Sequence, residues 1–544
     1  MEFSTLNGYK VKDKKAIRFY DTVALMKADT TLKEGMHVKT KGYYEADDGG
    51  NGEYIIVNDN NLVSDNGLVH TLNNELKAKL IENDFVTPEQ YGAYGDGIHD
   101  DTLVLQSLLN TNKKIKLSKK YKTLSTLNVD VGFHKGISGG GIILNTSTIE
   151  NQYSTFTLTN SLYPDEITPD AYYDSAKFYI KDLTITNING DNYTDSVHYG
   201  NGIQFGDGCN RITVENCTIK NLYYGILSRY ANVGIYLNKI NRCSIYANEY
   251  NIWLSATSDS GENITFNECQ IFGAKIGNKI EQNMYVNFNN CSIDYNHDYI
   301  FYILGGSNVV CSNCHIEWGQ PNRAFLLDNK CSLKFYGCTI IHSLTDTCDY
   351  MIYCNNSYPY VLFDGCSFMS SQTYTNLCNN EAFIEFNNCD RLETSPMAFT
   401  NPHNTVNLIQ ATNYEYPLGY NTQLTRGTNQ VIVTATTKDN ANRLYLPLDY
   451  FKNRDGKITM KIDSSEDLDL TISIGDTVFM GDGYDGTWGT TNHTESIVAN
   501  TITTKEYEFK RRKGTSTTLY VMFNLSNLSA SAWFRVREIN VQVI

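Results

Sequence analysis

Two short stretches carry the residues best suited to chemistry. Residues 292–298 read SIDYNHD and residues 311–318 read CSNCHIEW. Together they supply Asp294, Asp298 and Glu317, with Tyr295, His315 and Trp318 beside them. Glycoside hydrolysis needs this kind of set: one carboxylic acid protonates the leaving oxygen, and a second carboxylate acts as base or nucleophile. Asp294 and Glu317 are the candidate catalytic pair. Their separation suits a retaining arrangement if they sit on neighbouring strands, and Asp298 is the alternative partner for an inverting one. Trp318 and Tyr295 can pack on sugar rings, and His315, His342 and Arg323 can hold hydroxyl or acidic groups. Cys311-x-x-Cys314 looks like half of a zinc site. Tetrahedral zinc needs four ligands, however, and no second Cys pair or His pair lies at suitable spacing. No metal is assigned from the sequence. Calcium is allowed, but no clear motif indicates it.

These residues need a scaffold, and a repeat supplies it. ITVENCTIKNL (212–222), ITFNECQIFGA (264–274), VNFNNCSIDYN (286–296), VVCSNCHIEWG (309–319), LKFYGCTIIHS (333–343) and VLFDGCSFMSS (361–371) align on one cysteine. The series Cys217, Cys243, Cys269, Cys291, Cys314, Cys338, Cys366 and Cys389 is spaced by 22 to 28 residues. A period in the twenties signals a solenoid, and alternation such as Val214-x-x-Cys217-x-Ile219 signals a strand with one buried face. Short strands stacked coil on coil make a parallel β-helix, with rungs about 4.8 Å apart. The cysteines then form an inner ladder of reduced thiols, and the residues one and three places later point outward. Three places after the cysteine stand Asp294 and Glu317, and one place after it stands His315. Tyr295, Trp318 and His342 form the next column and are expected on the same outer strip.

The remaining chain divides by pattern. Residues 1–85 form a separate N-terminal block, with a helix expected near LNNELKAKLIEN (72–83). Residues 86–395 form the β-helix, with its first coil expected at GISGGGIIL (136–144), and 396–420 is a proline-bearing connector. Residues 421–544 show longer alternating strands and read as a β-sandwich or jelly roll for carbohydrate binding or trimerisation, with Tyr484 and Trp488 as glycan-binding candidates. A net charge of −15 argues against nucleic acid or an anionic membrane as partner. No apolar run is long enough to span a bilayer, and the start lacks the apolar region of a secretory signal.

YGAYGDGIHDDTLVLQSLLN (91–110) resembles the start of the pectate-lyase-like right-handed β-helix superfamily, matching at Gly92, Ala93, Gly95, Asp96, Gly97, Asp100, Asp101 and Thr102. In that superfamily the segment and its helix cap the open end of the coil. The run at 21–54, DTVALMKADTTLKEGMHVKTKGYYEADDGGNGEY, resembles the N-terminal segments of bacteriophage tailspikes and pre-neck appendages. The resemblance implies an all-β chain with a small N-terminal domain, a helix-capped right-handed β-helix and a C-terminal β domain. It further implies a virion-borne homotrimer, joined to the phage tail or neck through its N-terminal domain. Such a spike binds, and often depolymerises, a host surface polysaccharide such as capsule, O-antigen or wall teichoic acid. A spike that only adheres is the other reading. The family shares no single catalytic motif, so the candidate site rests on rung geometry.

Overall fold

The computed structural model describes residues 3–6, 9–12, 17–81, 85–162, 178–190, 197–228, 234–246, 248–255, 261–318, 324–328, 330–342, 350–354, 359–370, 376–378, 383–387, 389–391, 406–407, 422–427, 430–435, 443–447, 456–475, 491–509 and 520–543. The chain is mostly β, with a parallel β-solenoid of about nine turns and antiparallel sheets at its C-terminal end. It divides into two compact units, Met1–Ser292 and Ile293–Ile544.

In the first unit, Arg18–Tyr20, His37–Thr40, Gly52–Val57, Lys77–Leu80 and Val69–Thr71 make a five-stranded sheet, with a short helix at Val23–Ala28. The segment expected to be helical near 72–83 contains the strand Lys77–Leu80, paired antiparallel with Gly52–Val57. Its period is two: Ala78 and Leu80 are buried while Lys79 is exposed, and cross-strand pairing outweighs the helix propensity of Lys, Ala and Leu. A helix does form at Thr102–Leu109, burying Leu105, Leu108 and Leu109. The Asp101 carboxylate accepts the backbone N–H groups of Tyr94 (2.8 Å) and Gly95 (3.2 Å), so the glycine-rich turn is tied to the helix start. Coiling begins earlier than GISGGGIIL: Lys120–Thr123 already pairs in parallel with Ile142–Asn145.

Each later coil places three short strands. Tyr179–Lys181, Thr184–Asn187 and Asn201–Phe205 are followed in parallel register by Thr213–Glu215, Thr218–Lys220 and Tyr224–Leu227. Ile185, Ile219, Ile245 and Ile271 form one inner column and Ile180, Val214, Ile240, Phe266 and Phe288 another, all at most 1% exposed. The cysteines lie between these columns. The Cys243 thiol faces the carbonyl of Val214 at 3.7 Å, Cys269 that of Ile240 at 3.4 Å and Cys291 that of Phe266 at 3.4 Å, so each thiol lies within hydrogen-bond reach of the rung before it, and equally of a carbonyl in its own rung. Cys311 and Cys314 are likewise buried.

The residue just before each ladder cysteine from Cys217 to Cys366 turns the corner in a left-handed conformation: Asn216 (φ 53°), Arg242 (50°), Glu268 (55°), Asn290 (53°), Asn313 (53°), Gly337 (60°) and Gly365 (62°). Asn and Gly recur there because they pay least for positive φ.

The second unit has parallel coils of its own. His315–Trp318 pairs in parallel with Thr339–His342, which pairs with Ser367–Ser370. The C-terminal strands form a six-stranded and a four-stranded sheet that share one core, including Ile458, Met460, Ile472, Val521, Phe523 and Phe534. Among the described residues, no helix is long and apolar enough to cross a membrane.

Candidate active site

His315 and Glu317 lie two residues apart on the strand His315–Trp318, with Ile316 buried between them. Alternation therefore turns both side chains to the outside. Asp294 ends the strand Ser292–Asp294 in the same outward phase. The imidazole Nε2 of His315 lies 3.1 Å from Glu317 Oε2, a hydrogen bond, and 3.6 Å from Asp294 Oδ1, an ion-pair distance. One donor atom from each of the three residues falls within 4.8 Å of the others. All three side chains are partly covered: 20% exposed for Asp294, 16% for Glu317 and 40% for His315. Two ionised carboxylates at this spacing repel by on the order of 3 kcal/mol at an effective dielectric of about 20, so a proton or cation between them lowers the energy.

Tyr295 completes the group. Its backbone leaves the strand in a left-handed conformation (φ 48°), its N–H donates to the Glu317 carbonyl at 3.1 Å, and its hydroxyl donates to Glu317 Oε1 at 3.0 Å. Both carboxylate oxygens of Glu317 are thus engaged, one by Tyr295 and one by His315. The hydrogen bond to Glu317, reinforced by the Glu317 charge, holds the Tyr295 phenol above its ordinary pKa. Tyr295 remains 58% exposed, with its ring available to a ligand.

Other expected members fall elsewhere. Trp318 and His342 are each 2% exposed and stack on one another inside the solenoid, with ring centroids 5.0 Å apart and planes at 14°. They stand four places after the ladder cysteine, and in a continuous strand that phase points inward. Tyr295 escapes only because its strand has already ended. Burial lowers the His342 pKa to about 4. Neither Trp318 nor His342 can meet a polymer as a surface contact. Asp298 is not among the three residues whose donor atoms fall within 4.8 Å of one another, and its carboxylate lies 3.3 Å from His297 Nδ1. Arg323, Tyr484 and Trp488 lie outside the described residues.

The sequence placed His315 only as a sugar contact. Its position two residues before Glu317 on one strand was the signal that both would share a face. Asp294, His315 and Glu317 are also the described residues whose donor atoms are spaced to hold a metal ion.

No family model matches the sequence. Structural comparison matches the chain to bacteriophage tailspikes. The enzymatically active domain of tailspike protein 4 of bacteriophage CBA120 aligns with a TM-score of 0.58 at 15% identity, over 96% of this chain and 77% of that one. This is the tailspike fold. The enzymatically active domain of tailspike protein 2 of bacteriophage CBA120 and the tailspike of Acinetobacter phage vB_ApiP_P1 also align, each with a TM-score of 0.49, at 12% and 13% identity. The first covers 96% of this chain and 88% of its own; the second covers 97% and 99%. Against this fold, the Asp294–His315–Glu317 group is a cluster on the outer wall of a tailspike solenoid.

Proposed function

We propose that this chain is a phage tailspike that binds a host cell-surface glycan and cleaves it by carboxylate acid–base hydrolysis at Asp294 and Glu317. The observation that carries the reading is the convergence of these two carboxylates, within 4.8 Å and bridged by His315, on the outer face of a solenoid with the tailspike fold. The related CBA120 domain is described as enzymatically active, which supports a catalytic spike over an adhesive one. The carboxyl spacing favours a retaining course, for which about 5–5.5 Å is typical, over an inverting one at about 6.5–9.5 Å.

In that course Glu317, oriented by Tyr295 and His315, attacks the anomeric carbon while Asp294 gives its proton to the leaving glycosidic oxygen. Water then enters, Asp294 takes its proton, and the glycosyl ester on Glu317 is released. Capsule, O-antigen and wall teichoic acid are the candidate polymers. The spike acts as a homotrimer on the virion, attached to tail or neck through its N-terminal block.

Purified protein incubated with host surface polysaccharide should release short fragments. Glu317→Gln and Asp294→Asn should each lower the rate by roughly 10²–10⁴-fold while binding persists. Binding without fragments from the wild type would establish the adhesive reading instead, and full cleavage by both variants would move the site elsewhere.

A further inference from the structure

We infer that Asp294, His315 and Glu317 form a binding site for one first-row divalent transition cation of the Mn²⁺ or Zn²⁺ class. The donor set is one imidazole nitrogen and two carboxylates, which suits such ions; Ca²⁺ and Mg²⁺ favour oxygen ligands alone. The spacing also fits. Ligand bonds of about 2.0–2.2 Å put two donors of one ion no more than about 4.4 Å apart. Here Nε2 of His315 is 3.1 Å from Glu317 and 3.6 Å from Asp294, and all three donors lie within 4.8 Å, so a slight turn of the side chains closes the set.

Two further observations separate this group from a chance meeting of surface acids. Tyr295, which is not one of the three donors, fixes the outer oxygen of Glu317 at 3.0 Å, the kind of support that ligating carboxylates usually receive. The chain carries 60 acidic residues, 10 histidines and 14 cysteines. Among the described residues, this is the single place where three such donors converge.

A bound ion would engage both carboxylates and remove them from proton transfer and attack. Ion binding and cleavage therefore exclude one another, and this clause alone rests on the function proposed above.

Calorimetric titration of the full chain with Mn²⁺, Zn²⁺, Ca²⁺ and Mg²⁺, each without polysaccharide, tests the site. One Mn²⁺ or Zn²⁺ per chain is expected, weakened at least about tenfold in His315→Ala and in Glu317→Gln, with Ca²⁺ and Mg²⁺ binding far more weakly. Electron paramagnetic resonance of bound Mn²⁺ should show the same losses, and melting curves would confirm that both variants are folded. Equal affinity in wild type and variants, or no binding up to ~1 mM, overturns the site. Cleavage that proceeds unslowed with Zn²⁺ bound overturns the exclusion. Because the titration contains no glycan, its result stands apart from whether Glu317 catalyses.

Discussion

Glu317 accepts one hydrogen bond on each carboxylate oxygen, and the two donors have different dispensability. Tyr295 is the better probe of orientation, because its phenol is held above its ordinary pKa by Glu317 and so stays a donor well into alkaline solution. Tyr295→Phe should therefore lower kcat by roughly tenfold, with the loss constant across neutral and mildly alkaline pH. A loss confined to KM would instead make the hydroxyl a sugar contact. His342 gives a residue-scale prediction about stability. Burial depresses its pKa from 6.5 to about 4, so on acidification the unfolded chain takes up the proton first. Its contribution is complete above pH 6.5 and is lost as pH falls through 4, on the order of 3 kcal/mol in all. The buried Asp101, raised to about 6, works in the opposite sense, so the comparison must be made by difference. His342→Phe keeps a ring against Trp318 but cannot titrate. Its loss of stability between pH 7 and pH 4.5, measured by denaturant unfolding, should be smaller than that of the wild type. Parallel losses in both proteins would show that His342 is not the group responsible.

At the scale of the strand and corner, the repeat was legible because every coil reuses three positions: an inward residue three before the cysteine, the cysteine itself, and an inward residue two after it. Val214, Cys217 and Ile219 show all three, each at most 2% exposed. The outward phase of Asp294, His315 and Glu317 followed from the same alternation. Trp318 and His342 were placed wrongly because the column four after the cysteine was taken as outward, although strand phase turns it inward. The strand at Lys77–Leu80 was hidden because its four residues are good helix formers, and pairing with Gly52–Val57 on one side and Val69–Thr71 on the other reveals the period of two. The corner residue was also readable, as Asn or Gly before six of the eight ladder cysteines. Its mechanism required the backbone, where Glu268 bears φ 55° without the tolerance of Asn or Gly. Glu268→Gly should therefore stabilise the chain by about 0.5–1 kcal/mol, and Asn313→Ala should destabilise it by about 1 kcal/mol. Chemical denaturation of both variants decides the matter. A destabilised Glu268→Gly would mean that side-chain contacts, not φ, govern the corner.

For the whole molecule, tailspike architecture persists at 15% identity because a solenoid asks little of any one residue: an apolar pair per strand, a small inner side chain and a tolerant corner. The outer wall is correspondingly unconstrained by folding and available to acids, which agrees with a net charge of −15. On the function proposed above, that charge sets the field a polymer meets. An acidic polysaccharide approaching the chain is repelled over a Debye length of about 30 Å at 0.01 M salt but only about 8 Å at 0.15 M. Association of Glu317→Gln with an anionic host polymer, followed by surface plasmon resonance, should therefore quicken several-fold over that range. A neutral polymer should associate at a rate nearly independent of salt. If the anionic polymer associates more slowly as salt rises, local cations and not the net charge set the field at the receptor surface, and the contact surface must then lie where basic residues outnumber acids.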